Sequence, residues 1–425
     1  MNAHEVHSSP HDRRAIRDML AARVASDSHR IIDLAKTLVG VPSHYPPGDT
    51  HALARRIEQF AADVPGLEIE RVDTLPHVAN LVLRVKGAKP GRRLVFNGHM
   101  DTFPLVKPDA WTTRHTGEER DGKLYGLGVS DMKGGIASIL FAMSHLASVR
   151  EVLAGEVVAT LVSDEESMGT QGTQYLLEHV PLARGDAMIS ADTGSTRVLR
   201  FGEKGMLWLT LRATGRSAHA AHVHRGECAI EKLMAAMSSL TAIRDTEVDA
   251  PREVAEAIDR AAEASESLSG AGESDVLRKV TLTFGTVSGG RLSNLIADGA
   301  TATADIRIPV GLTVAIVENR LNELLSAHPG VSVEIDRRYE PSWTPPGHEV
   351  IRMLAANCEQ VLKSRPVVNM RVGASDARLY RYAQIPSVVC GLTAFNMGGA
   401  DEHVFVDELR ALGEIYALTA FDYLL

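Results

Sequence analysis

The tightest constraint on the fold of this 425-residue chain is a secondary-structure pattern that starts, breaks off and resumes. Amphipathic helices are expected over Ser28–Val39 and Thr50–Ala62, followed by strand-type runs at Asn80–Val85 and Leu94–Phe96. A small-residue apolar helix over Lys133–Leu146, a buried strand at Glu156–Val162 and a helix at Gln171–His179 continue the alternation. Strands alternating with helices imply an α/β layer around a central sheet. Near Lys204 the pattern changes. Met206–Ala213 reads as a strand, Glu227–Arg244 as a helix, and Val280–Val287 and Thr301–Ile308 as strands. A helix over Thr313–Ala327 and a strand over Val331–Tyr339 complete a β-α-β-β-α-β order, the split ferredoxin-like arrangement that folds as a unit. Glu247–Arg278 is charged and rich in Ala, Ser and Gly, and reads as extra helix and loop outside that core. After Pro346 the first pattern returns, with a helix at Val350–Leu362, a strand at Ser387–Cys390 and a helix from Asp407. The expected architecture is an α/β/α domain with a central mixed sheet, residues 1–204 and 342–425, interrupted by a ferredoxin-like α+β domain, residues 205–341.

Length alone suggests two or three domains. The chain has 45 Lys plus Arg against 54 Asp plus Glu, so its net charge of −9 gives no general attraction to nucleic acid or anionic membrane. No run approaches the roughly 20 apolar residues that span a bilayer, and the N-terminus has no signal-peptide core. Cys228, Cys358 and Cys390 are odd in number and far apart, which fits neither a disulfide framework nor a Cys-type zinc site. A cytoplasmic protein without nucleic-acid or membrane partners is expected.

Chemistry concentrates at ends of predicted strands. In Leu94-Val-Phe-Asn-Gly-His99-Met-Asp101 a strand ends just before a histidine that can offer a neutral ring nitrogen to a metal. Asp101, two residues on, can accept the other ring N–H. A strand-end histidine with a capping aspartate is the plainer reading. In Tyr125-Gly-Leu-Gly-Val-Ser-Asp131-Met-Lys-Gly-Gly, glycines flank a single acid. A phosphate cradle is the rival there, but the third glycine of a dinucleotide fingerprint and the Lys-Ser/Thr of a P-loop are missing. A carboxylate bridging two cations fits better. Asp164-Glu165-Glu166 follows an apolar strand, where like charges raise one another's pKa unless cations are near. Read as a site rather than a solvated acidic turn, one glutamate ligates a metal and its free neighbour shuttles a proton. Asp192, after Ile189-Ser-Ala, and His403, in Asp401-Glu402-His403, complete the set.

The order His-x-Asp, Gly-flanked Asp, Glu-Glu, Asp and distant His resembles the metallopeptidase family of acetylornithine deacetylase, succinyl-diaminopimelate desuccinylase, aminoacylase and glutamate carboxypeptidase. The resemblance runs from about Ile31 to the end, and G-H-M-D, S-D-M-K-G-G and S-D-E-E-S-M-G-T carry it. It implies that Asp131 bridges two divalent ions, with His99 and Asp192 on one and Glu166 and His403 on the other. It further implies that Asp101 orients His99, that Glu165 acts as general base and then acid, and that the Asp131–Met132 peptide is cis. Zinc is the usual ion of the family, cobalt or manganese the alternatives.

By the same resemblance the inserted domain is a lid that mediates a homodimer. His219, in Gly215-Arg-Ser-Ala-His219, matches the lid histidine that contacts the oxyanion, across the dimer in many members. Asn294 and Arg307 match substrate-binding lid residues, and Ser375, in Gly373-Ala-Ser375-Asp376, matches an element near the substrate. An Arg fork suits a substrate carboxylate. The chain departs from the family where Leu127 replaces a frequent Arg, where the loop Trp111–Glu118 lacks D-P-F, and around Asp401-Glu402-His403.

The expected activity is metal-dependent hydrolysis of an amide-type C–N bond in a small carboxylate-bearing substrate, as in an N-acyl amino acid deacylase. Alternatives are a dipeptidase or carboxypeptidase, and an aminohydrolase or carbamoyl hydrolase acting on a non-peptide C–N bond, such as that of an aromatic amino acid. A catalytically silent scaffold would have been expected to lose ligands or base, and here all are present.

Overall fold

The computed structural model describes residues 10–425, so the reading of the extreme N-terminus, residues 1–9, lies outside the described residues. The chain forms two compact units. One comprises Met1–Phe201, Thr344–Val368 and Ser375–Leu425, the other Gly202–Trp343 with Asn369–Ala374. The short return of Asn369–Ala374 to the second unit is marked by a Lys204 N–H that donates to the Arg371 carbonyl at 3.2 Å.

The first unit begins with helices α1 (Pro10–Asp27), α2 (Arg30–Val39) and α3 (His51–Ala62), then strands β1 (Leu67–Leu75), β2 (Val78–Lys86) and β3 (Lys89–His99). A small hairpin, β4 (Glu118–Arg120) and β5 (Lys123–Tyr125), leads through a turn into α4 (Gly134–Ser148). Then come β6 (Ala154–Val162), α5 (Thr173–His179), β7 (Ala187–Ser190) and β8 (Val198–Glu203). The sheet order β1-β2-β6-β3-β7 continues through a late strand, Ser387–Val389, before reaching β8. β3 runs parallel to both β6 and β7, whereas β1-β2 and β2-β6 are antiparallel. The sheet is therefore mixed.

Side chains alternate across these strands. Val82, Val95, Val158 and Met188 point into a core with Leu176 and Leu177 of α5. Phe96, next to Val95, faces the other way and packs on Tyr416, ring centroids 4.8 Å apart. Both faces of the central strands are thus covered, which is why β2, β3 and β6 carry continuous apolar runs.

The second unit contains β9 (Gly205–Thr214), α6 (Ala229–Leu240), α7 (Arg252–Ser269), α8 (Glu273–Arg278), β10 (Thr281–Gly289), β11 (Gly299–Ile308), α9 (Val314–Leu325), β12 (Val331–Tyr339) and β13 (Ser342–Trp343). The antiparallel order β10-β11-β9-β12 is that of the ferredoxin-like split β-α-β pair. Its core joins Leu207, Leu209 and Leu211 to Leu233 of α6 and Val317 and Leu321 of α9, and the other sheet face alternates toward solvent. Glu247–Arg278 is mostly helical, as α7 and α8, and lies outside this core. The Lys204 ammonium holds it, donating to the Val276 and Lys279 carbonyls at 2.6 and 2.7 Å.

The chain closes with α10 (Glu349–Leu362), β14 (Val367–Arg371, paired with β8), α11 (Ala377–Tyr382), β15 (Ser387–Val389), β16 (His403–Phe405) and α12 (Val406–Tyr423). α12 is buried along almost its whole length, and β16 pairs with β5. α1 was not expected from the sequence; its mixed charges hide a role in docking. Arg17 forms a two-pronged pair with Asp422, at 2.6 and 2.9 Å.

Candidate metal centre

Three neighbouring parallel strands deliver the functional groups to one edge of the sheet. β3 ends at His99, opposite Val162 of β6, so the acids after β6 leave beside it. On the other side Asn97 pairs with Ser190 of β7, which brings Asp192 to the same edge. In α/β sheets this carboxyl edge is where ligands bind. Asp131 arrives on the turn between β5 and α4. Gly128 turns the chain there in the left-handed region, φ 74°, where a side chain is disfavoured. Gly135 lets α4 close on the strand ends: a Cβ added there would lie 2.4 Å from the Ala191 carbonyl oxygen, one residue before Asp192. The Asp131–Met132 peptide is cis.

The ligand atoms of His99, Asp131 and Asp192 lie within 4.8 Å of one another, and all three residues are buried. His99 Nε2 stands 2.9 Å from Asp131 Oδ1. His99 Nδ1 faces the backbone carbonyl of Asp101 at 2.9 Å, with that residue's carboxylate farther away at 3.5 Å. The sequence pointed to the carboxylate as the ring's acceptor. In the structure the nearer oxygen is the carbonyl, and Asp101 Oδ2 instead accepts the Glu166 N–H at 3.0 Å. Either acceptor fixes the ring so that Nε2 faces the acids.

Glu165 and Glu166 sit on a 3-10 turn, Glu165–Ser167, directly after β6. Burial pushes the Glu166 carboxyl up to about 8, and Asp131 adds to the rise. Burial also drives Glu165 well above the glutamate range; Asp192, Asp376 and Glu166 reinforce this and His99 opposes it. Glu166 Oε1 and Asp101 Oδ1 are buried without a hydrogen-bond partner. Acids packed this closely, with an unpartnered oxygen among them, are held apart from their ordinary ionisation until positive charge arrives. The donors are nitrogen and oxygen only, the chemistry of zinc, cobalt or manganese sites. The residues fit divalent cations.

His403 opens β16, opposite Tyr125 of β5. Its Nδ1 faces the Asp401 carbonyl at 2.9 Å, the same backbone lock that His99 has. The ring stacks on Phe395, centroids 5.1 Å apart and nearly parallel. The Asp401 carboxylate gathers the N–H and hydroxyl groups of Thr112 and Thr113, between 2.8 and 3.1 Å. The pairing of β5 and β16 ties His403 to the strand that leads into the Asp131 turn, whereas the tight donor cluster is His99, Asp131 and Asp192.

The remaining predicted residues divide between the units. Ser375 is fully buried; its hydroxyl accepts the Ala377 N–H at 3.3 Å at the start of α11. In the second unit His219 and Asn294 are exposed neighbours, with the Ala220 N–H donating to the Asn294 carbonyl at 2.9 Å. His219 Nδ1 accepts the Ala221 N–H at 3.2 Å. Arg307 forks onto Asp305 at 2.8 and 2.9 Å, so its guanidinium already has a carboxylate partner within its own strand.

Sequence reasoning missed a supporting layer. Arg378, 1% exposed, donates to the Met168 carbonyl at 2.7 Å and to the Ser375 carbonyl at 2.6 Å. Asp376 accepts the Thr173 hydroxyl at 2.6 Å. Together they brace the turn that carries Glu165 and Glu166. The only signal was their place beside Ser375 in Gly373-Ala-Ser375-Asp376.

Comparison with known proteins identifies the family. A family profile described as Peptidase family M20/M25/M40 matches residues 95–422. Succinyl-diaminopimelate desuccinylase of Methylorubrum extorquens is 30% identical over 405 residues, covering 91% of this chain and 97% of its own. The enzyme of that name from Paracoccus denitrificans is 29% identical, covering 83% and 88%. Among solved structures, an M20 family metallo-carboxypeptidase from Sulfolobus solfataricus shares the fold with TM-score 0.77 at 17% identity, covering 93% of this chain and 98% of that one. The chain therefore belongs to peptidase family M20/M25/M40 and is a metal-dependent hydrolase acting on C–N bonds.

Proposed function

We propose that this hydrolase removes an acyl group from a small, carboxylate-bearing N-acyl amino acid, using two divalent cations that Asp131 would help to hold. The observation that carries the reading is the meeting of His99, Asp131 and Asp192 at one sheet edge, beside the acidic turn Glu165–Glu166. The relatives named for desuccinylation, similar along nearly the whole chain, support an acylated amino acid as substrate. His99 and Asp192 would hold one ion, Glu166 and His403 the other, and zinc fits the donor set. Bound there, divalent cations lower the pKa of a water and polarise the scissile carbonyl.

The chain's own groups do the rest. Glu165, held unligated beside Glu166, takes the proton of the attacking water and passes it to the leaving nitrogen. Asp101 keeps His99 Nε2 turned toward the acids through its carbonyl. His219 supplies a hydrogen bond to the oxyanion, while Asn294, Arg307 and Ser375 bind or shape the substrate end of the pocket. The exposed edge strand β10 favours a homodimer through the second unit. A cytoplasmic enzyme fits the reduced cysteines, and no helix among the described residues is long and apolar enough to cross a membrane.

The test is Glu165→Gln on protein of known metal content, assayed with N-succinyl and N-acetyl amino acids, dipeptides and aromatic amino acids. Turnover should fall by about 10²–10⁴-fold while the ions stay bound. Near-normal kcat in the variant would remove Glu165 from its role. A substrate panel cleaved only at free-amine dipeptides would replace deacylation by peptidase action. Chelation should abolish activity and a divalent metal restore it; full activity in metal-free protein would refute the mechanism.

A further inference from the structure

The glycine turn before Asp131 has the look of an anion cradle, and the protein supplies the anion itself. Glu402 is 1% exposed. Its Oε2 accepts the Gly128 N–H at 3.0 Å and the Gly398 N–H at 3.3 Å. Its Oε1 accepts the Ser130 N–H at 3.0 Å and the Ser130 hydroxyl at 2.6 Å. The Glu402 carbonyl also accepts the Gly126 N–H at 2.9 Å. Successive backbone N–H groups around a left-handed glycine form a concavity that binds anions. Here a carboxylate fills it, which is why Gly-Leu-Gly-Val-Ser-Asp131 can carry an acid at its end and still keep its N–H groups paired.

The two ends of this clamp matter. Ser130 directly precedes Asp131, and Glu402 directly precedes His403, so one side chain couples residues 272 positions apart in sequence. Without it, the Gly128 and Ser130 N–H groups would be left unpaired in a buried place, and the turn would have to move to satisfy them. Asp131 would move with it.

We propose that Glu402 is a positioning residue: its carboxylate sets Asp131 and His403 in register with each other for cation binding. This rests on the reading of those two residues as metal donors. It assigns Glu402 no contact with substrate or reacting atoms. Groups that orient metal donors in this way change metal affinity by about 10–100-fold when removed.

The experiment titrates metal-stripped protein with zinc against a chromogenic chelator, and with cobalt to follow the visible absorption of the bound ion. Glu402→Gln keeps the shape but replaces one acceptor oxygen by an amide NH₂ that faces backbone donors. It should retain its far-UV circular dichroism, bind at least one ion about 10–100-fold more weakly, and show a changed cobalt spectrum. Ser130→Ala, which removes only the hydroxyl bond, should shift the same ion in the same direction by less. A purely structural role would lower Tm and leave ion affinity and spectrum alone in the folded fraction. Wild-type affinity for both ions in folded Glu402→Gln overturns the proposal; if that variant does not fold, wild-type affinity in Ser130→Ala overturns it. His403→Ala separates the two levels. If it loses an ion while Glu402→Gln does not, the clamp alone is wrong. If His403→Ala keeps both ions, the donor assignment beneath the clamp is wrong as well.

Discussion

Replacing Gly135 by alanine asks whether the close approach of α4 to the strand ends governs metal binding. The new Cβ would sit 2.4 Å from the Ala191 carbonyl oxygen and 3.0 Å from the Ala191 Cβ. A Cβ contact does not persist below 3.0 Å, so the first turn of α4 and the end of β7 must part by about 0.6 Å. Asp131 lies just upstream of that turn and Asp192 just downstream of Ala191, so the shift falls directly on two of the three clustered donors. Donor positions need to hold within about 0.5 Å for full function. Overpacking costs about 1–3 kcal/mol, but Ala replacing Gly inside a helix contributes about 1 kcal/mol in return. Net destabilisation is then about 0–2 kcal/mol, whereas zinc affinity should fall by about 10–100-fold and kcat/KM by about 10²-fold. The assay pairs a chelator-competition zinc titration with thermal melting of metal-free protein. Gly347→Ala is the control, because nothing lies within 4 Å of its added Cβ. Wild-type zinc affinity in folded Gly135→Ala would refute the link between this contact and the centre.

Arg378→Met should leave the Met168 carbonyl without its side-chain donor and the Ser375 carbonyl with the Arg378 N–H, at 3.2 Å, costing about 1–3 kcal/mol, or roughly 2–12 °C in Tm. Because Met168 ends the turn that carries both Glu165 and Glu166, kcat and metal affinity should fall together; a Tm within about 2 °C of wild type would refute the bracing role. Partial burial raises Glu156, but hydrogen bonds and charge from Arg93 and Arg84 outweigh it and hold the carboxyl below its ordinary 4.5. A depressed folded-state value gives stability that is present above 4.5 and lost as pH falls through the folded value, discounted here because the ion pairs are only partly buried. Glu156→Gln should therefore melt lower than wild type at pH 7 and converge with it in acid, as melting curves between pH 3 and 7, a range of roughly four units, would read; a gap independent of pH would mean the ion pairs contribute nothing.

Much of the candidate site was legible in the chain because the proposed donors occupy positions that sequence marks well. His99, Asp192 and the acids after Val162 each follow a strand-type apolar run, and Asp131 sits among glycines. What stayed hidden were contacts made between distant segments. Nothing in Asp401-Glu402-His403 says that Glu402 reaches Gly128 and Ser130, and nothing in Asp376-Ala-Arg378 says that the guanidinium reaches Met168. The Asp101 carbonyl was passed over for its carboxylate because a backbone oxygen carries no residue-type signal. Strands β1 and β8 were missed for a different reason: charged residues such as Glu68, Glu70, Arg71 and Arg200 interrupt their apolar alternation. The β-α-β-β-α-β order of the second unit was easier, since one sheet face is open to solvent and alternation is clean, as in Val331–Tyr339.

The place of β15 in the sheet has a bearing on how the chain matures. This three-residue strand, made after both of its neighbours, wedges between β7 and β8. A nascent chain lacking it carries two unpaired strand borders in the middle of its largest sheet, which invites association with other unfinished chains. His403 emerges later still. A chain not yet extended through Val389 thus lacks the strand that fills the gap between β7 and β8.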